Sequence, residues 1–287
     1  MNTLHAPSPL QESTAVRAIV HRTRGHAHGP VIRLMSPSDL GEVLKPFVFL
    51  DRVDVANLQA RKADGFGLHP HSGIATLTWL FEGDANYEDN MGRRGKLNPR
   101  SVEWMHAGRG AWHGGNFGDA ERIRGFQLWV ALPADSELGE PYSSYIGPGD
   151  LPSDGPVTVL LGRHGSATSP IKSPAPINYF SISLKAGESW TYEPATDHTV
   201  AWAAVSLGRL RTPQAIDTGD LVAFEEGGKP IRFVADKDTD FVFGSAARHP
   251  HGLELGYYSV HTTHRALEQG EARIRELGLE LRAQGKL

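Results

Sequence analysis

The feature that most limits how this chain can fold is the brevity of its apolar runs. None extends much beyond about eight residues, and 32 glycines and 19 prolines punctuate the 287 positions. A membrane-spanning helix needs about 20 consecutive apolar residues, so none is expected. The runs at 16–20, 31–34, 47–50, 74–81, 126–132, 157–161, 179–184, 200–205, 221–224 and 241–243 are bounded by turn formers. Several are rich in Val, Ile, Phe and Trp, which suit a pleated, half-buried surface. The expectation is an all-β chain. One segment departs from it. Over 264–284, Leu267, Ile274, Leu277 and Leu281 fall near helical spacing amid Glu and Arg and stop before Gly285. That pattern predicts an amphipathic C-terminal helix packed on a sheet.

The length suits two domains, each able to bury its own core. Two β-rich halves flank the stretch 136–156, which holds four prolines and reads as a linker. The expected organisation is therefore a first domain over 1–135 and a second over 157–287 that ends in the helix. The halves suggest a duplicated β-barrel unit by pattern, without a strong sequence repeat. Lys and Arg total 29 against 33 Asp and Glu, a net charge of −4, and basic runs are lacking. A sequence-independent nucleic-acid binder needs a concentrated positive face, so direct nucleic-acid binding is not expected. The first 13 residues are polar and carry no apolar core of a secretory signal, so the expectation is a soluble, cytoplasmic protein with no membrane partner.

Cysteine is absent and histidine occurs 14 times. Disulfides, thiolate zinc sites, iron–sulfur clusters and cysteine nucleophiles are thereby excluded, and any metal must be held by imidazole and oxygen. The informative set is His69-Pro70-His71 before the run 74–81, with His113 following a glycine-rich turn. Residues i and i+2 of a strand face the same side, so two imidazoles at that spacing can chelate one ion from inside a barrel. The 41 residues between His71 and His113 suffice for hairpin strands to bring the third imidazole alongside. A second triplet, His249-Pro250-His251, has no partner spaced like His113, since His261 and His264 follow too closely. It reads as a structural pair near the helix start. His5, His21, His26 and His28 read as solvated.

The surroundings of the first triplet resemble the pirin family of bicupins. The matching pieces are Pro46-Phe47 with Leu50-Asp51, His69-Pro70-His71-x-Gly73 with Thr76 and Thr78, and Gly92-x-x-Gly95. They continue with Val102-x-Trp104-Met105-x-Ala107-Gly108-Arg109-Gly110, His113, and Gln127-Leu128-Trp129-Val130 before Leu132-Pro133. The resemblance covers roughly residues 46 to 133 and implies two jelly-roll-like barrels, the first holding one non-haem metal ion, usually iron. Carried over residue by residue, His69, His71 and His113 would be the ligands. The family's fourth ligand, a glutamate two residues after the third histidine, falls on Gly115 here. Water is expected in the vacated position, with His106, Glu103 and Asn116 as protein candidates for a fourth ligand or a partner to the ligands. Three neutral imidazoles also suit Zn, Ni, Cu, Co or Mn. Phe66, Trp79, Trp104 and Trp112 are candidates to line a pocket for a planar substrate, and Arg109 is read as bracing its turn. The resemblance implies an iron-dependent dioxygenase acting on a flavonoid-like or enolised diketone substrate; the alternative is a non-enzymatic, metal- or redox-responsive regulator that binds a protein partner.

Overall fold

The computed structural model describes residues 16–56 and 66–287, with the side chain of Phe66 outside the described set. The short apolar runs are strands. In the first half they are β1 (Ile19–Thr23), β2 (His26–His28), β3 (Val31–Met35), β4 (Phe47–Val55), β5 (Phe66–His71), β6 (Ile74–Glu82) and β7 (Ala85–Asp89). They continue as β8 (Arg94–Leu97), β9 (Val102–His106), β10 (Ala111–Phe117), β11 (Ile123–Ala131) and β12 (Tyr142–Ile146), with a short helix α1 (Leu40–Leu44) before β4. A seven-stranded sheet of order β12-β9-β6-β11-β4-β3-β2 faces a four-stranded sheet of order β5-β10-β7-β8. The second half repeats the arrangement. Its seven-stranded sheet is centred on Val200–Leu207, Thr239–Ala246 and Ile177–Leu184, and its four-stranded sheet contains Ser189–Tyr192 and Ile231–Ala235. This is the two-barrel, bicupin architecture.

The two large sheets lie back to back. Their strands are buried on both faces, so β6 and β11 are buried along almost their whole length, with polar Thr76 buried and Thr78 and Gln127 half-buried. Trp79, Trp104 and Phe47 share one core with Tyr179, Trp202 and Val242 of the second half. Phe47 meets Trp202 edge to face, with centroids 5.4 Å apart. The interior of the second barrel is filled by Phe180, Trp190, Tyr192, Phe233, Phe241 and Phe243.

The chain crosses between the halves more than sequence order suggests. β1 pairs with Leu221–Phe224 in the second half, and the buried Arg17 guanidinium ties it down by donating to the Glu225 carbonyl at 2.7 Å. The stretch read as a linker contains β12, paired with β9, and the strand Ser153–Asp154, paired with Val157–Leu161. The C-terminal helix α2 (His264–Ala283) starts at Thr263, whose hydroxyl accepts from the Ala266 amide. It packs on the first barrel, not the second. Trp112 Nε1 donates to the Ile274 carbonyl at 2.9 Å, and a Cβ at Gly278 would stand 2.9 Å from the Trp112 ring. None of the described helices is long and apolar enough to cross a membrane.

Candidate metal centre

β5 and β10 build the site. In their antiparallel register His113 stands opposite His69, and His71 lies two residues along the same face of β5. One ring nitrogen from each of the three lies within 4.8 Å of the others. Ring centroids are separated by 4.9 Å (His69–His71), 4.7 Å (His69–His113) and 5.1 Å (His71–His113).

The other nitrogens are anchored. His69 Nδ1 lies 2.8 Å from the Gly67 carbonyl oxygen, His71 Nδ1 lies 3.0 Å from the Tyr258 carbonyl oxygen, and His113 Nδ1 lies 3.1 Å from Glu103 Oε1. All three partners accept, so each Nδ1 carries a proton and Nε2 is left as the free nitrogen of each ring. The Nε2 atoms of His71 and His113 are buried without a hydrogen-bond partner. Burial and the neighbouring imidazoles hold His71 well below the usual histidine range and His69 down to about 4. Clustered imidazoles whose second nitrogens are free fit a metal ion.

Glu103 is 6% exposed. Burial alone would raise its carboxyl; the hydrogen bonds from His113 and Thr78, with the nearby imidazoles, hold it below the ordinary carboxylate range. Its Oε2 accepts from the Thr78 hydroxyl at 3.0 Å. It therefore serves His113 from behind rather than joining the three nitrogens. Asn116 is exposed, and its Oδ1 accepts from Asn86 Nδ2 at 2.8 Å. His106 lies away from the cluster, stacked on Tyr142 with centroids 5.0 Å apart.

Strand alternation also redirects the aromatic candidates. Thr78 and Glu103 point into the barrel, so Trp79 and Trp104, one residue further along, point into the core between the halves. Trp112 is spent on α2. The candidate role of Phe66 rests on a side chain outside the described residues. The flat wall near the histidines is instead Trp129, stacked on Phe49 at 4.0 Å and set edge-on to His71 at 4.7 Å. Arg109 pairs with Glu140 at 2.8 Å on the exposed surface, away from the site. His249 and His251 stand 5.6 Å apart beside Lys45 at the junction of the halves rather than at the helix start, and the described residues add no third ligand to them.

Two cavities meet at His69. A narrow one of about 70 Å³ lies inside the barrel, lined by Thr78, Glu103, His113 and Gly115. A wider cleft of about 550 Å³ opens outward, walled by Arg33, Phe49, Trp129, Tyr257 and Tyr258. Asp51 and Gln127 line both. Burial pushes the Asp51 carboxyl up although Arg33 clasps it at 3.0 and 3.1 Å. Asp51, Thr78 and Gln127 lie within the recognisable segments and could have been selected by their inward register. Tyr258 comes from the opposite end of the chain, and no local signal marks it.

A family model described as Pirin matches residues 29–130. A pirin-like protein of Caulobacter vibrioides is 35% identical over 241 residues, covering 78% of this chain and 84% of that one. This chain belongs to the pirin family. A provisionally named quercetin 2,3-dioxygenase of Pseudomonas aeruginosa is 30% identical over 184 residues, 60% of this pirin and 64% of its relative, so that match spans just under two thirds of the relative's length. Among solved structures, a quercetin 2,3-dioxygenase from Acinetobacter baumannii aligns with a TM-score of 0.82 at 22% identity, covering 91% of this pirin and 98% of that chain. The nickel(II) complex of the bacterial pirin YhhW from Escherichia coli aligns with a TM-score of 0.62 at 19% identity over 82% and 99% of the two chains. At such identities these two likenesses speak for the fold.

Proposed function

We propose that this pirin holds one divalent metal ion, Fe(II) in its working state, on Nε2 of His69, His71 and His113, and that it is a dioxygenase acting on a planar, enolisable substrate of the flavonoid or diketone type. One observation carries the reading: three imidazole nitrogens are tied outward to Gly67, Tyr258 and Glu103, leaving the other three to face one point. The ion would supply Lewis-acid and redox chemistry toward dioxygen and an enolate. The chain's own residues hold, orient and exclude water. Glu103 keeps the His113 proton on Nδ1. The stacked pair Phe49–Trp129 gives a flat wall along which a planar ligand reaches His69 from the wide cleft, and the Arg33 guanidinium sits over the Phe49 ring at 4.3 Å. With glycine at 115 no carboxylate enters the ligand set, so three neutral donors leave coordination positions for a bidentate substrate. The name of the Pseudomonas relative supports the substrate class, and the nickel complex of the Escherichia coli pirin supports a first-row divalent ion.

The test is dioxygen consumption by the iron-loaded protein with quercetin and with simple diketones, beside elemental analysis of the metal acquired on expression. Uptake that depends on His113 is expected. Rates no higher than those of His113→Ala would overturn the activity for those substrates, and analysis showing no bound metal would overturn the site itself.

A further inference from the structure

A second buried polar array lies beside the histidines and joins three distant stretches of chain. Glu137 is 3% exposed, and its carboxylate meets three donors. Oε2 accepts from the Thr262 amide at 2.7 Å and lies 3.1 Å from His261 Nδ1, while Oε1 accepts from the Thr262 hydroxyl at 2.6 Å. On the far side of the ring, His261 Nε2 lies 3.0 Å from the Ser72 hydroxyl, which is 2.9 Å from that of Ser259. Serine, histidine and carboxylate thus stand in the order of a nucleophile array. Yet Ser72 is 0% exposed and His261 1%, so no substrate carbonyl reaches the hydroxyl.

Residues 257–262 form a strap laid across β5. Ser72 bridges to Ser259, and the Val260 amide donates to the Ser72 carbonyl at 3.2 Å. The approach is close enough to demand glycine next door: Gly73 has φ +72°, and a Cβ there would stand 2.0 Å from the Val260 carbonyl oxygen. The strap carries the Tyr258 carbonyl that accepts from His71 Nδ1, and it places Tyr257 and Tyr258 on the wall of the wide cleft. We infer that Glu137 is a positioning residue for the metal centre, acting at a distance: it pins the strap through His261 and Thr262, and the strap fixes the His71 ring. The inference rests on the metal reading above. It gives the chain between the two halves a part in the site, and it makes the centre depend on sequence far outside the first barrel.

The experiment compares wild type, Glu137→Gln and Val242→Ala, the last a cavity variant in the core between the halves that lowers stability away from the strap. Each is loaded with Co(II) and followed by its visible spectrum and by chelator competition; amide hydrogen exchange over 258–262 is read on the metal-free proteins. Glu137→Gln is expected to shift the Co(II) spectrum, weaken binding about tenfold, as loss of an outer partner does, and speed exchange in the strap. Val242→Ala should melt lower yet keep the wild-type spectrum. If Glu137→Gln fails to fold, Thr262→Val, which deletes one donor to the carboxylate, is read in the same way. A wild-type spectrum and affinity in the Glu137 variant, or an equal spectral change in Val242→Ala, overturns the positioning role alone. Absence of any Co(II) spectrum in the wild type overturns the metal reading and the inference with it.

Discussion

Replacing Glu103 separates the two things its carboxylate does for His113. In Glu103→Gln the shape is kept. The amide oxygen can still accept from His113 Nδ1, now 3.1 Å from Oε1, and the amide nitrogen can donate to the Thr78 hydroxyl, now 3.0 Å from Oε2. What is lost is the charge. A hydrogen bond to a charged group is worth about 1 kcal/mol more than a neutral one, so metal affinity should fall about fivefold. In Glu103→Ala the His113 N–H is buried without a partner, and the ring is free to turn or to move its proton to the nitrogen facing the ion. Outer partners of ligating histidines contribute 10–100-fold in affinity, so this variant should lie near the upper end, roughly another tenfold weaker. The assay is competition with a chromophoric chelator at fixed pH, with circular dichroism to confirm the fold. The expected order is wild type, then Gln, then Ala. If both variants bind within twofold of wild type, Glu103 does not govern the ring and the account of His113 is wrong.

Further expectations concern backbone, protons and metal. A Cβ at Gly115 would stand 2.1 Å from the Asn86 carbonyl oxygen, so Gly115→Ala should destabilise by about 1–3 kcal/mol through forced separation of β7 and β10; thermal unfolding measures it, and an unchanged melting temperature would refute it. Because His69 titrates near 4 and His71 well below its ordinary value, the metal-free folded state binds fewer protons than the unfolded chain below about pH 6.5. Its stability should therefore fall as pH drops from there toward 4, and denaturant midpoints should flatten with pH in His69→Gln. A metal ion at about 100 times its dissociation constant should raise stability by ~2.7 kcal/mol, lost on chelation, and a melting curve indifferent to chelator would count against the site.

Much of this was legible in the sequence because the determining signals are local. The strands follow from short apolar runs between turn formers, and α2 from Leu267, Ile274, Leu277 and Leu281. The convergence of His69, His71 and His113 follows from strand parity plus one hairpin return. What failed also has a physical reason. Trp79 and Trp104 looked like pocket residues because strands buried on both faces carry bulky side chains on either side, and only the polar parity of Thr76, Thr78 and Glu103 marks which side is the cavity. Trp129, on the opposite parity, holds that place. The linker reading of 136–156 rested on prolines, which do not prevent Tyr142–Ile146 from pairing at a sheet edge. The assignment of β1 to the second half and of α2 to the first rests on contacts 150 residues or more apart, such as Trp112 with Ile274 and Arg17 with Glu225. Nothing in either local pattern encodes its partner.

Gly115 and Glu103 bear on the same charge balance. The residues facing the metal position must combine neutral donors with enough negative charge nearby to balance a divalent ion. Glycine at 115 is enforced by the Asn86 carbonyl, so the family's carboxylate cannot be restored there without parting two strands. Glu103, paired across the sheet with Thr78 and reaching His113 Nδ1, places a buried carboxylate on the far side of the imidazole ring. On the reading proposed above, the charge is supplied through an imidazole instead of beside it. Such a centre keeps its ligand nitrogens basic while leaving the space in front of them free. That space joins the cleft walled by Trp129 at His69, and the close approach of β7 and β10 that requires glycine at 115 lines its inner end.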